Sequence, residues 1–239
     1  MSDGFRILGT PRFGGILVVA DHASNRVPDE VDLGIASDLL SQHIAIDLGV
    51  AEVAARLAGK HGFSAFLGNV SRLVCDFNRD EDAPGVMPLV SDGHAIPGNA
   101  SALREDRLAN YYRPYHNVLS QILDTTPQAL ILSLHSFTPQ LATCPDVQRP
   151  WQVGVLYNQD DRAARLALPL LEAEGLLVGD QQPYSGRELN ATMNRHAEAE
   201  GRPYLGIEIR QDQIADAVGQ ARFAELLGRI CNTIAIALA

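Results

Sequence analysis

Short apolar runs separated by amphipathic segments are the feature that most limits the fold of this sequence. The run GILVVA at residues 15–20 is rich in β-branched residues and is typical of a strand buried on both faces. Comparable runs predict further strands at residues 64–67, 72–77, 129–134, 151–157 and 204–209. Apolar spacings of three and four predict helices at residues 37–58, 104–123, 160–174 and 222–238. This alternation predicts an α/β fold with a mostly parallel mixed sheet and helices on both faces.

The composition agrees with one domain over residues 1–239 that has a substantial core. Of the 239 residues, 46% are hydrophobic and 20% are charged. The net charge of −10 argues against nucleic acid or a membrane surface as a partner. The sequence has no apolar run of about 20 residues and no signal-peptide pattern. We therefore expect a cytoplasmic protein, as a monomer or a homodimer.

Polar residues lie at or near the ends of four predicted strands. His22 follows the first strand, Asp76 to Arg79 end the run RLVCDF, His135 follows ALILSL, and Glu208 lies within YLGIEI. Ligands of parallel sheets gather at the carboxyl ends of the strands. We therefore expect these side chains to converge at one edge of the sheet.

His22 and His135 are the best candidates for metal ligands. Each follows a buried strand, which would hold its backbone rigidly. Zinc binds neutral imidazole, and a catalytic zinc ion commonly has three protein ligands. A single histidine at a strand end is more often structural, whereas two at equivalent ends favour a metal site.

The order of several motifs carries a family resemblance. The segments ADHASNRVP, HIAIDLGV, SRLVCDFNRDEDAPG, SDGHAIPGN, YYRPYH and LHSFTP together resemble the N-formylglutamate amidohydrolase family. LSLHSF, EIRQD and DFNR resemble the wider zinc carboxypeptidase and aspartoacylase superfamily. The resemblance covers roughly Gly15 to Asp212. It implies a zinc-carboxypeptidase-like (phosphorylase/hydrolase-like) fold, one zinc ion per chain and hydrolysis of N-formylglutamate, a small anionic substrate, to glutamate and formate.

The same resemblance implies a set of metal ligands. His22 matches the first zinc histidine and His135 the last. The superfamily usually has a zinc-binding glutamate three residues after the first histidine, where this chain has Asn25. We therefore take Asp47 as the candidate third ligand, although a role in capping or bridging its helix stays open. Asn25 is then a candidate for substrate binding.

The resemblance also implies catalytic and substrate-binding roles. Glu208 matches the general base, and a structural glutamate paired with arginine is its alternative. Asn78 and Arg79 match the pair that binds a substrate carboxylate, since a guanidinium can bind a carboxylate through two hydrogen bonds. Arg72 and Arg210 are second candidates, for the same anion or for the developing oxyanion.

Other functions stay open at this point. The substrate could be another N-acyl amino acid or a peptide amide. The departure at Asn25 also allows a metal-less binding relative. A serine hydrolase is disfavoured, because neither Ser24 nor Ser136 lies in a G-x-S-x-G motif. Residues 78–99, rich in Asp, Gly and Pro, form a candidate functional loop.

Overall fold

The computed structural model describes residues 4–239, so the first three residues of the predicted domain lie outside the described part. The strands are β1 (Phe5–Leu8), β2 (Ile16–Ala20), β3 (Ser64–Gly68), β4 (Val90–Ser91), β5 (His94–Ala95), β6 (Leu130–Phe137), β7 (Val153–Leu156), β8 (Val178–Asp180) and β9 (Tyr204–Arg210). The α-helices are α1 (Val50–Lys60), α2 (Pro97–Ser101), α3 (Arg104–Arg107), α4 (Arg113–Thr125), α5 (Arg162–Ala173), α6 (Ala191–His196) and α7 (Ala217–Leu238).

Seven of the strands form one mixed sheet in the order β1-β3-β2-β6-β9-β7-β8, and β4 and β5 form a separate hairpin. The central strands β3, β2, β6 and β9 are mutually parallel. β7 and β8 are parallel to each other. β1 is antiparallel to β3, and β7 is antiparallel to β9. The predicted mostly parallel mixed sheet is therefore confirmed.

Alternation along the central strands divides the core into two layers. In β2, Ile16, Val18 and Ala20 face one apolar cluster, whereas Leu17 and Val19 face the other. The first cluster includes residues of α1, α5 and α7. The second includes residues of α4 and α6 and of the segment 70–77. Helices therefore cover both faces of the sheet, as predicted.

The continuous helix predicted for residues 37–58 is wrong. A short 3₁₀ turn covers Ser37–Ser41, and α1 begins only at Val50. Gly49 has a φ of +80°, and a Cβ there would lie 2.4 Å from the carbonyl oxygen of Ile214. The Asp47 N–H donates to the carbonyl oxygen of His22 at 3.0 Å. The irregular segment before α1 thus brings Asp47 to the end of β2.

The strand predicted at residues 72–77 is also wrong. The N–H groups of Val74 and Cys75 donate to the carbonyl oxygen of Ser71, at 2.8 and 3.2 Å, which folds the segment into turns. The Ser71 hydroxyl donates to the carbonyl oxygen of Ala45 and ties the turn to the segment before α1. The apolar residues of this run are buried in the core without joining the sheet.

Two further element boundaries lie three or more residues from their predicted positions. β6 continues to Phe137, so His135 lies within the strand rather than after it. α7 begins five residues earlier than predicted, where the Asp216 side chain accepts hydrogen bonds from the N–H groups of Val218 and Gly219. Within residues 4–239, no helix combines the length and the apolar composition needed to cross a membrane.

Candidate active site

A pocket opens at the carboxyl ends of β2, β6 and β9. Its cavity volume is about 120 Å³. Seven of the nine predicted site residues line it: His22, Asp47, Arg72, Asn78, Arg79, His135 and Glu208. The convergence predicted for the strand ends is therefore present.

His22, Asp47 and His135 form a buried triangle in this pocket. The Nδ1 atoms of His22 and His135 lie 3.3 and 2.9 Å from Asp47 Oδ2. One potential ligand atom from each residue lies within 4.8 Å of the other two. Two imidazoles and a carboxylate are donors that zinc accepts, so this group could hold a metal ion.

Each of the two histidines has a second carboxylate close to its Nε2 atom, on the side of the ring away from Asp47. His22 Nε2 donates to Asp76 Oδ1 at 2.7 Å, and His135 Nε2 lies 3.4 Å from Asp21 Oδ2. The hydrogen bond to Asp76 fixes the orientation of the His22 ring and leaves its other nitrogen for a metal. Both rings present Nδ1 to the Asp47 carboxylate.

The charges of this cluster fit a divalent cation. Asp21, Asp47 and Asp76 carry three negative charges, and Arg72 contributes one positive charge through contacts of 3.3 and 3.0 Å to Asp47 and Asp76. Arg79 is more distant, at 3.8 Å from Asp76, so the three buried carboxylates outnumber the arginines that contact them, which is costly without compensation. Asp21 Oδ2 and His135 Nε2 face each other at 3.4 Å, and neither has a hydrogen-bond partner among the described residues. A bound divalent metal would supply positive charge to this cluster.

The neighbouring charges of the cluster also shift the pKa values of its members. Burial alone would raise the pKa of Asp76, but His22 and Arg72 hold it well below its usual range. Burial alone would lower the pKa of His135, but the carboxylates of Asp21 and Asp47 raise it well above its ordinary value. The carboxylates therefore attract positive charge, either as protons on the imidazoles or as a metal ion that replaces them.

Glu208 borders the triangle with an unpaired carboxyl group. It is the register partner of His135 on the neighbouring parallel strand. Its Oε2 is buried without a hydrogen-bond partner, and no arginine in residues 4–239 pairs with it. Burial raises the pKa of Glu208 to about 7. A carboxyl group with this pKa can both accept and release a proton near neutral pH.

Asn78 and Arg79 present hydrogen-bond donors to the pocket. Asn78 Oδ1 accepts from the N–H of Thr192 at 3.1 Å, which leaves its Nδ2 available. Arg79 Nε lies 3.8 Å from Asp76 Oδ2, and 29% of the Arg79 side chain is exposed. The Tyr112 hydroxyl donates to the carbonyl oxygen of Arg79 at 2.8 Å and holds its backbone. The amide and the guanidinium can therefore bind a carboxylate.

Asn25 and Arg210, predicted to bind substrate, do not line this pocket. Asn25 Nδ2 donates to the carbonyl oxygen of Leu40 at 2.9 Å. Arg210 forms a two-point pair with Asp212, at 2.7 and 3.1 Å. In both cases a local partner engages the side chain, which a motif match does not show.

The pocket is also lined by His43 and Tyr184, which are not among the nine predicted site residues. His43 Nε2 donates to Asp92 Oδ2 at 3.0 Å. Asp92 also accepts from the N–H groups of Ala142 and Thr143, so the hairpin within residues 78–99 is tied to the loop after β6. The motif SDGH signals this turn, whereas Tyr184 lies in a loop with no periodic pattern.

Comparison with known proteins identifies the family that the sequence motifs resemble. The family model of N-formylglutamate amidohydrolase matches residues 14–215. No curated protein matches the chain significantly in sequence. Gene product Atu2144 from Agrobacterium tumefaciens is similar in structure, with a TM-score of 0.90, 30% identity, and coverage of 98% of this chain and 95% of that one.

Two more distant structures share the fold. N-formylglutamate amidohydrolase from Ralstonia eutropha has a TM-score of 0.73 at 19% identity, with 98% of each chain covered. A bacteriophage poly-gamma-glutamate hydrolase has a TM-score of 0.50 at 12% identity, with 96% of this chain and 89% of that one covered. Since the family model spans most of the sequence, the chain belongs to the N-formylglutamate amidohydrolase family.

Proposed function

We propose that the protein is a zinc-dependent amidohydrolase that cleaves the amide of an N-acyl amino acid. The first candidate substrate is N-formylglutamate, which would give glutamate and formate. The observation that carries this proposal is the buried triangle of His22, Asp47 and His135, which shares one small pocket with Glu208 and Arg79. Family membership supports hydrolysis of an amide.

The triangle would hold one zinc ion through His22 Nδ1, His135 Nδ1 and the Asp47 carboxylate. When bound, zinc supplies Lewis acidity, which polarises a carbonyl group and makes water a stronger nucleophile at neutral pH. Asp76 would hold the His22 imidazole, through a hydrogen bond to Nε2, in the tautomer that leaves Nδ1 unprotonated. Asp21 lies 3.4 Å from Nε2 of His135 and would favour a proton on that nitrogen by its charge.

Glu208 would move the protons of the reaction. Hydrolysis forms a bond from water oxygen to the acyl carbon and breaks the bond from that carbon to nitrogen. Glu208 Oε2 has no hydrogen-bond partner among the described residues and can accept the proton of the attacking water. The same carboxyl group then delivers a proton to the leaving nitrogen. Its pKa of about 7, raised by burial, suits both steps.

Arginine side chains would position the substrate and stabilise the negative charge that develops on its acyl oxygen. Arg79 and Asn78 Nδ2 bind a carboxylate of the substrate, since both present donors to the pocket. Arg72 is held by Asp47 and Asp76 beside the triangle. Its remaining N–H groups stabilise negative charge on the acyl oxygen.

Other N-acyl amino acids and peptide amides are the alternative substrates. The small cavity favours a single amino acid with a small acyl group over a long chain. We further propose that the protein acts in the cytoplasm, as a monomer or a homodimer, on a small anionic substrate.

An assay of N-acyl amino acids with added zinc tests this function. We expect release of the acyl group from N-formylglutamate by zinc-loaded protein and none after treatment with a chelator. A zinc-loaded protein that hydrolyses no N-acyl amino acid would contradict the proposal. Binding of these compounds without metal and without turnover would instead support a metal-less binding relative.

A further inference from the structure

His43 is a histidine of the pocket wall that no step of the proposed reaction uses. It lies in the irregular segment before α1, four residues before Asp47. Ile44 and Ala45, which follow it, are buried in the second apolar cluster. His43 lines the same cavity as Glu208 and the metal triangle, and 24% of its side chain is exposed. The fold therefore holds this residue against the pocket and leaves part of its ring open to a ligand.

Asp92 determines the orientation of the His43 ring. Its Oδ2 accepts from His43 Nε2 at 3.0 Å and from the N–H of Ala142 at 2.8 Å. Its Oδ1 accepts from the N–H and the hydroxyl of Thr143, at 2.9 and 2.7 Å. Asp92 has a φ of +40°, a conformation that aspartate tolerates better than most residues. One carboxylate thus joins His43 to the hairpin of β4 and β5 and to the loop after β6.

The hydrogen bond to Asp92 also decides which nitrogen of His43 carries a proton. Burial would raise the pKa of Asp92, but hydrogen bonds from Thr143 and Ala142 hold it at about 2. Asp92 is therefore an ionised carboxylate at neutral pH, which can only accept, so the proton is on His43 Nε2. Burial lowers the pKa of His43 below its ordinary value, despite the charge of Asp92. The ring is therefore neutral, and its Nδ1 is an unprotonated acceptor.

This acceptor has no partner within residues 4–239, where the one hydrogen bond of the His43 ring is made by Nε2. Other acceptors of the pocket are engaged or already have a role. Asp47 Oδ2 lies within 3.3 Å of both metal-binding imidazoles, and Asn78 Oδ1 accepts from the N–H of Thr192. Glu208 Oε2 is free, but the proposed reaction uses it for the attacking water. His43 Nδ1 is therefore available to a donor of the substrate.

The scissile amide would bring such a donor into the pocket. The carboxylates and the acyl oxygen of an N-acyl amino acid accept hydrogen bonds, whereas its amide N–H can only donate. An N–H that loses water on entering a pocket and finds no acceptor costs free energy. Arg72 and Arg79 are donors and cannot accept it, whereas an unprotonated imidazole nitrogen can.

We propose that His43, oriented by Asp92, accepts a hydrogen bond from the N–H of the scissile amide through Nδ1. This bond fixes the plane of the amide relative to Glu208. When water adds to the acyl carbon, the nitrogen gains a lone pair, which takes the proton from Glu208 while the original N–H stays on His43. His43 itself gains and loses no proton. The inference rests on the proposed function and makes His43 a specificity residue for amides that carry an N–H.

Two substrates that differ only at this N–H test the role of His43. N-formylglutamate has the amide, and 2-(formyloxy)glutarate has an ester oxygen in place of the N–H. In His43→Gln the side-chain amide reaches the position of Nε2 and can still donate to Asp92, but no acceptor occupies the position of Nδ1. In zinc-loaded protein we expect the ratio of kcat/KM for the amide to kcat/KM for the ester to fall by about tenfold or more relative to wild type.

His94→Gln is the matched control for this experiment. His94 lies in β5, beside the turn that carries Asp92, but does not line the pocket. We expect the control to keep the wild-type ratio and both variants to keep the wild-type zinc content. An unchanged ratio in His43→Gln, including an equal loss of activity on both substrates, would overturn the proposal. Loss of zinc from His43→Gln would make His43 a metal ligand instead and would also overturn it.

Binding measurements separate this inference from the proposed function. Glu208→Gln removes the general base, so both compounds can be titrated into zinc-loaded protein by calorimetry. We expect N-formylglutamate to bind about tenfold or more tightly than the ester, and the addition of His43→Gln to remove that difference. This result would support the hydrogen bond even if wild-type protein hydrolyses neither compound. Equal affinities of the amide and the ester for Glu208→Gln protein would overturn it.

Discussion

His135 on β6 and Glu208 on β9 are register partners on adjacent parallel strands. The backbone pairing of the sheet therefore places a candidate metal ligand and the candidate general base side by side. Both strands are almost entirely buried, so neither side chain depends on a mobile loop for its position. Sites built on rigid elements hold their geometry more accurately than sites built on loops.

Glu208→Gln should abolish proton transfer without removing the metal. The amide keeps the size of the side chain but cannot accept a proton from water. We expect kcat to fall by about 10²- to 10⁴-fold while the zinc content stays at the wild-type level. Metal analysis and steady-state kinetics on the same preparation check this. Full activity of the variant would exclude Glu208 from the mechanism.

Asp76→Asn should weaken metal binding through His22. The variant removes the carboxylate that accepts a 2.7 Å hydrogen bond from His22 Nε2. We expect zinc affinity to fall by about 10- to 100-fold, measured by competition with a chelator. Asp124→Asn is the matched control, since that carboxylate is 61% exposed and pairs with Arg202 at the surface. Equal zinc affinities of both variants and wild type would contradict the supporting role of Asp76.

Arg79→Ala should mainly raise KM for acidic substrates. The guanidinium lines the pocket, and among the described residues its one ion pair, with Asp76, is long at 3.8 Å. Because the variant loses a hydrogen-bonded charge pair with a substrate carboxylate, we expect KM to rise by about 10-fold or more. Steady-state kinetics on N-formylglutamate and on an uncharged N-formyl amino acid amide measure the change in KM for an acidic and for an uncharged substrate. An equal loss on both substrates would speak against carboxylate binding.

The buried pair of His116 and His196 should make stability depend on pH. His116 Nε2 donates to the carbonyl oxygen of Phe77, so its Nδ1 accepts from His196 Nε2 at 2.8 Å. Burial lowers the pKa of His116 to about 3 and that of His196 to about 4. In unfolded chains both titrate near the ordinary value of about 6.5. Between these values the unfolded state binds more protons, so the free energy of unfolding should fall as pH decreases from 6.5 towards 4.

Urea unfolding at pH 7 and pH 5 measures this effect. We expect a loss of roughly 1–2 kcal/mol per histidine on going to pH 5. His116→Gln should be less stable than wild type at pH 7 but should lose less stability between the two pH values. An unchanged loss in the variant would show that His116 does not contribute to the dependence.

Three site residues could be predicted from the sequence because the strands that carry them are local and apolar. The run before His22 forms β2, and the runs that contain His135 and Glu208 form β6 and β9; the three strands are adjacent in the sheet. Parallel pairing then collects their carboxyl ends at one edge. The sequence also indicated the loop of Asn78 and Arg79, which reaches the same pocket.

The parts that were missed depend on contacts between distant residues. Apolar periodicity placed Asp47 within a helix, but its N–H donates to the carbonyl oxygen of His22 and the helix begins after it. Asn25 and Arg210 lie near strand ends, yet Leu40 and Asp212 engage their side chains. Tyr184 lies in a loop, and only the folded chain places it in the wall of the pocket.

Metal content measured together with activity tests the central claim most directly. Protein purified without chelator and equilibrated with zinc should hold one zinc ion per chain and hydrolyse an N-acyl amino acid. Asp47→Ala and His135→Ala should lose both the metal and the activity, and chelation of wild-type protein should abolish activity until zinc is restored. Undiminished hydrolysis by wild-type protein that contains no stoichiometric metal would contradict the account.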